Sequence, residues 1–191
     1  VGQLIGRTVA QKWDGTMLYN VKDTGEAFGY GVRGSYTNVE LVFHTDNAFG
    51  VAPPEYVGLL CKHPALSGGI SRFCSLYSVH NIMLRKHPDL LKRLYAPMLY
   101  DRQAEHAPGT PKVALAPFFA FDGEKLSARA NVQLVRKGHD VAGVNLEPEL
   151  EDALAAVEAV GNRSELWLEL PIERGQLQYL NNMELGHYRS H

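Results

Sequence analysis

The segment LVFHTDNAFG, Leu41–Gly50, runs from three apolar residues directly into an imidazole and a carboxylate, His44 and Asp46, set two positions apart. With the residues before it, NVELVFHTD (Asn38–Asp46), it reads as a strand with an apolar second half. Side chains along a strand alternate between faces, so residues i and i+2 project to the same side. His44 and Asp46 therefore enter one space at a strand end. Two readings are open at this point. The pair could be a hydrogen-bonded imidazole–carboxylate contact that only supports structure. It could also supply two ligands to a divalent transition metal, which mixed nitrogen and oxygen donors suit.

Outward from this segment the chain is built of short pieces. TMLYNVKD (16–23) and FGYGVRGSYTN (28–38) read as short strands and turns among glycines, and EYVGLLCKH (55–63) as a strand after the Pro53-Pro54 turn. From Ser71 the period becomes helical: Phe73, Leu76, Val79, Met83 and Leu84 suit one face, with Ser71 placed as an N-cap. HPDLLKRLY (87–95) continues as a second short helix with Pro88 in its first turn. After a polar loop, DRQAEHAPGTPK (101–112), the stretch 113–131 reads as two strands joined at Asp122-Gly123. Pro148–Val160 is an amphipathic helix with acids in its first turns and Gly161 just past its end. ELWLELPI (165–172) and GQLQYLNNM (175–183) close the chain as strands. The expected fold class is mainly β with helical insertions, an antiparallel sandwich or jelly roll. A parallel α/β sheet competes, but strands and helices do not alternate regularly and no glycine-rich phosphate loop follows a strand.

Bulk composition narrows the function classes. Apolar residues are 45% and charged residues 21% of 191, enough for one domain with its own core. A net charge of -2, with no basic run, argues against nucleic acid or an anionic membrane as partner. No apolar run reaches the length of a membrane span and no signal peptide is visible, so a cytoplasmic protein is the expectation. Cys61 and Cys74 form no CxxC pair and read as reduced, buried thiols. The chain starts at Val1 rather than Met and stops at GHYRSH. Residues 1–191 are therefore expected to be a single domain, incomplete at both ends.

A third ligand is available far downstream. His187 lies in GQLQYLNNMELGHYRS, just after a strand bounded by Asn181-Asn182. In a jelly roll, strands distant in the chain become neighbours, so His187 could join His44 and Asp46. Two histidines and one carboxylate on one face leave coordination positions open, the arrangement of non-haem Fe(II) oxygenases. The bland alternative is a surface histidine near a terminus. His63, His80, His87, His106, His139 and His191 have no ligand-like spacing and read as structural.

HTDNAFG, then SGGIS, then GQLQYLNNMELGHYRS, in that order, resembles the taurine dioxygenase/TfdA-like family, related to clavaminate synthase. LYAPMLYDRQAEHAPG has the look of the same family, and the resemblance runs from about Gly29 to His191. It implies a double-stranded β-helix and an Fe(II)- and 2-oxoglutarate-dependent dioxygenase. His44, Asp46 and His187 would ligate the iron, and Ser71 would hydrogen-bond a carboxylate of 2-oxoglutarate. Dioxygen and 2-oxoglutarate would be consumed, and succinate and carbon dioxide released, as an unactivated C–H bond of a small molecule is hydroxylated. The family also places an arginine for the distal carboxylate on the strand after the distal histidine. Arg189 comes too soon for that role, and the matching residue is expected beyond residue 191. Family members are often oligomeric, so a homo-oligomer is allowed for.

The resemblance sets the substrate over the metal, beside the strand before HxD and the loop after it. Tyr36, Asn38, Glu40 and Asn47 are the nearby polar residues, with Glu40 able to meet a cationic group. Arg129 and Asn131, on one face of SARAN, could reach the same cavity. Asp46 favours hydroxylation over halogenation, because halogenases of this kind need that position open for halide. The alternatives are a non-catalytic jelly-roll binding module and a zinc hydrolase at the same three residues.

Overall fold

The computed structural model describes residues 1–27, 32 and 34–190. Much of FGYGVRGSYTN, and His191, fall outside the described residues. The elements are α1 (Gly2–Ile5), β1 (Leu41–His44), β2 (Tyr56–Leu60), β3 (Ser71–Ser75), α2 (Leu76–Lys86), α3 (Pro88–Leu94) and β4 (Met98–Asp101). They continue with β5 (Val113–Ala116), β6 (Phe119–Phe121), β7 (Leu126–Ala128), α4 (Val132–Ala142), α5 (Pro148–Gly161), β8 (Trp167–Leu170), β9 (Leu177–Asn181) and β10 (Leu185–Arg189).

The expectation of a mainly β chain needs correcting. The described strands are each three to five residues long, and the five helices take slightly more of the chain than they do. The architecture is mixed. TMLYNVKD forms no strand, and the described residues before β1 hold only α1 and a 3-10 turn at Gly34–Tyr36. Their apolar side chains Leu18, Val9 and Trp13 stay exposed, so no core pays for ordering them into a ladder.

The central element is a four-stranded antiparallel sheet in the order β1-β10-β3-β8. β2 and β9 pair separately, as do β4 with β5 and β6 with β7. The β6–β7 hairpin turns where the sequence places it. Gly123 there has φ 105°, and the Asp122 carboxylate accepts from the Glu124 and Lys125 amides.

One face of the central sheet is packed by helices. Phe43, Cys74 and Gly186 lie on it, and the Phe43 ring lies where a Cβ on Gly186 or on Gly161 of α5 would have to go. The Trp167 indole N–H donates to the Gly161 carbonyl at 2.7 Å. Leu150, Ala153, Leu154 and Val157 of α5 are fully buried beside Leu76, Val79 and Met83 of α2 and Leu94 of α3. Each such Leu, Val or Met side chain contributes roughly 1.5–3 kcal/mol by leaving water. α4 lies so close on β4 that a Cβ at Gly138 would sit 2.5 Å from the Leu99 carbonyl oxygen. This packing holds the sheet from behind and leaves its other face to the functional residues.

Candidate metal centre

His44 is the last residue of β1, and His187 is the middle residue of β10. The two strands are antiparallel neighbours, and His44 and His187 are direct partners in the register. Opposed residues in an antiparallel ladder share a face, so the two imidazoles stand side by side, ring centroids 4.3 Å apart. His187 does follow the strand that opens near Gly175, β9, but it lies on a further strand of its own, β10. LGHYR, Leu185–Arg189, puts Leu with His and Arg on one face and Gly with Tyr on the other, so no clean apolar alternation marks it locally as a strand.

Asp46 completes the group from the loop after β1. Its Oδ1 lies 3.6 Å from His44 Nε2 and 3.6 Å from His187 Nε2. These separations exceed an ordinary hydrogen bond. One donor atom from each residue lies within 4.8 Å of the others, a gathering that a single divalent ion can span. Among the described residues no other Asp, Glu, His or Cys joins this cluster.

The protonation pattern suits a metal. His44 Nδ1 lies 2.7 Å from the Val42 carbonyl and donates to it, which leaves Nε2 with its lone pair facing Asp46. Burial, and then the nearby His44, push the His187 imidazole below its ordinary value, which favours its neutral form at neutral pH. Burial alone would raise the Asp46 carboxyl, but the imidazoles of His187 and His44 hold it well below the usual carboxylate range. Two imidazoles and one carboxylate, all aimed at one point, form a donor set that fits Fe(II).

Ser71 is on β3, not at a helix N-cap; that role belongs to Ser75, whose Oγ accepts from the Ser78 amide at 3.3 Å. Phe73 is the register partner of His187, and Ser71 is the partner of Arg189. Ser71 thus shares the imidazole face, displaced by two residues, or about 7 Å along the strand.

The polar residues expected beside the substrate divide differently. Arg129 donates to the carbonyls of Ala48 and Val51, at 3.1 and 3.4 Å, and also to that of Gly50. It ties down the loop that follows Asp46. Asn131 caps α4, its Oδ1 accepting from the Leu134 amide at 3.0 Å. Glu40 and Asn38 are exposed just ahead of β1. Tyr36 accepts from Lys12 Nζ at 3.0 Å. Asn47, with φ 53°, borders a cavity of about 190 Å³ that is also lined by Lys12, Trp13, Phe49, Arg102 and Glu105. Arg189 donates to the carbonyls of Gly34, Thr37 and Val39, at 3.2, 2.8 and 2.7 Å, and so fastens the segment before β1.

Residues 2–191 match the sequence profile described as "Taurine catabolism dioxygenase TauD, TfdA family". The chain belongs to the TauD/TfdA family. No match is found among curated protein sequences. Among solved structures, the chain is similar to asparagine oxygenase in complex with Fe(II), 2S,3S-3-hydroxyasparagine and succinate. The TM-score is 0.74 at 20% identity, over 97% of this chain and 55% of that one. It is also similar to the non-heme iron oxygenase OrfP in complex with Fe and alpha-ketoglutaric acid, with TM-score 0.64 at 14% identity over 97% and 54%. An OrfP variant in complex with (3S)-hydroxy-L-Arg gives 0.71 at 14% over 98% and 55%. The TauD/TfdA chain described here thus spans about 55% of the length of these relatives. At such identities the likeness is one of fold.

Proposed function

We propose that the chain is the iron- and 2-oxoglutarate-binding core of a dioxygenase that hydroxylates a polar small molecule. The observation that carries this reading is the convergence of His44, Asp46 and His187 on one point in a TauD/TfdA chain. The antiparallel sheet that brings β1 beside β10 is, on this reading, part of a jelly roll, and residues 1–191 belong to one domain.

Each residue has a defined task. His44 and His187 present ring nitrogens, and Asp46 supplies the negative charge that offsets the cation. Bound there, Fe(II) together with 2-oxoglutarate would supply oxidative decarboxylation of the co-substrate coupled to dioxygen activation. The Ser71 hydroxyl, on the same face, would donate to a carboxylate of 2-oxoglutarate. Phe73, buried opposite His187, helps keep bulk water from the centre. With Asp46 present as a third protein ligand, hydroxylation is favoured over halogenation.

The substrate is inferred to carry both charges, as a free amino acid does. The cavity beside Asn47 has cationic Lys12 and Arg102 and anionic Glu105 in its wall. The similar structures hold hydroxylated asparagine and hydroxylated arginine. A zinc hydrolase would need a general base at the centre, and none of the described carboxylates or histidines beyond the three ligands joins it. The test is succinate formation with Fe(II), dioxygen and 2-oxoglutarate across a panel of free amino acids. Succinate formed in step with a hydroxylated product supports the reading. Absence of any 2-oxoglutarate turnover across the panel counts against it.

A further inference from the structure

We propose that Asn182 is a positioning residue for the metal centre: its carboxamide clamps the main chain of Asp46 to the hairpin that carries His187. The inference rests on the metal-site reading above and adds a residue that contacts no metal. Asn182 lies in the turn between β9 and β10 and is completely buried. Its Oδ1 accepts from the Asp46 amide at 2.7 Å. Its Nδ2 donates to the Asp46 carbonyl at 3.0 Å and to the Pro54 carbonyl at 3.0 Å. Its own amide donates to the Glu55 carbonyl at 2.7 Å.

The need for such a clamp follows from where β1 stops. The ladder with β10 ends at His44, so Asp46 lies past the last register pair. A carboxylate on free loop would sample many positions, and a metal ligand misplaced by an ångström loses much of its value. One primary amide can satisfy both main-chain groups of a single residue, as a strand partner does. Asn182 does this for Asp46, five residues ahead of His187 in the same hairpin. Thr45 is fixed independently: its amide donates to the Ala130 carbonyl at 2.7 Å, and its Oγ1 accepts from the Ala130 amide at 3.0 Å. The carboxylate and the distal imidazole are thereby held as one unit. Aspartate at 182 would lose both Nδ2 donors and bury a charge beside Asp46. Alanine would leave three main-chain groups without this partner.

The experiment is anaerobic titration of the apo protein with Co(II), an optical stand-in for Fe(II), on wild type, Asn182→Ala and Arg136→Gln. Arg136 pairs with Glu151 and Glu158 on the helices behind the sheet, so its loss lowers stability without touching the centre. The expected result is Co(II) affinity about 10–100-fold weaker in Asn182→Ala, the range for a lost outer-shell partner. Arg136→Gln should melt earlier and bind Co(II) as wild type does. A folded Asn182→Ala protein with wild-type affinity would overturn the clamp. Wild type that binds no Co(II) would instead overturn the metal reading itself. Amide hydrogen exchange on wild type does not depend on any variant folding. The Asp46 amide should be protected in the apo protein and exchange more slowly once Co(II) is bound. A freely exchanging Asp46 amide, or one indifferent to Co(II), would overturn the coupling.

Discussion

Asp46 is held as a carboxylate by the two histidines beside it; its closeness to His44 was readable from HTD, although β1 stops at His44 and Asp46 reaches the site from the loop rather than by strand alternation. His187 was readable as a ligand type but not as a strand residue, since its register partner lies far away in the chain. Ser71 shows a different limit. SRFCS holds two serines four positions apart at a strand-to-helix boundary, and only the packed structure assigns the cap to Ser75. Two substitutions separate the roles. Ser75→Ala should cost about 1 kcal/mol of stability, the usual value of an N-cap, with the KM for 2-oxoglutarate unchanged. Ser71→Ala should raise that KM severalfold and leave the melting temperature nearly unaltered. Thermal melts and co-substrate kinetics on the two variants check this. Cys74 adds a pH dependence. Burial pushes its thiol up to about 11 from 9.0. The unfolded thiol therefore ionises first as pH rises, and the stability tied to keeping Cys74 neutral is full below pH 9 and lost between about 9 and 11. Denaturant melts of Cys74→Ala against wild type should show the difference between them shrinking across that window.

At the scale of elements, α2, α3, α5, β2 and the β6–β7 hairpin follow from period, caps and turn chemistry. α4 and β4 were not read from the sequence, and they meet in one close contact. α4 carries Gly138 and several valines, a poor helix by propensity, and its glycine is there because β4 comes too close for a Cβ. Packing overrides local preference in that pair. The same kind of close approach fixes β10. Gly186→Ala would drive a methyl into the Phe43 ring, and overpacking of this kind costs typically about 1–3 kcal/mol. Because Gly186 adjoins His187, Co(II) affinity should fall together with stability. Phe43→Leu in the same chain should restore part of both, which a double-mutant comparison of melts and titrations reads directly.

Over the whole molecule, the order β1-β10-β3-β8 makes the centre, and no local pattern states that order. The expected jelly roll allowed His187 to join His44 and the family resemblance implied it; the antiparallel register between β1 and β10 is what brings the two together. The balance of helix and strand was misjudged because α4 was not read, although Asn131 at its start and left-handed Gly143 at its end are ordinary helix boundary signals. The central claim is that these distant segments form one site for Fe(II) and 2-oxoglutarate. The most direct measurement is anaerobic titration of the apo protein with both, watching for the weak visible charge-transfer band of the chelate, with His44→Ala alongside. The account predicts a band that needs both components and is lost in His44→Ala. A folded wild-type protein that binds Fe(II) yet gives no band with 2-oxoglutarate, or a band that survives in His44→Ala, would contradict it.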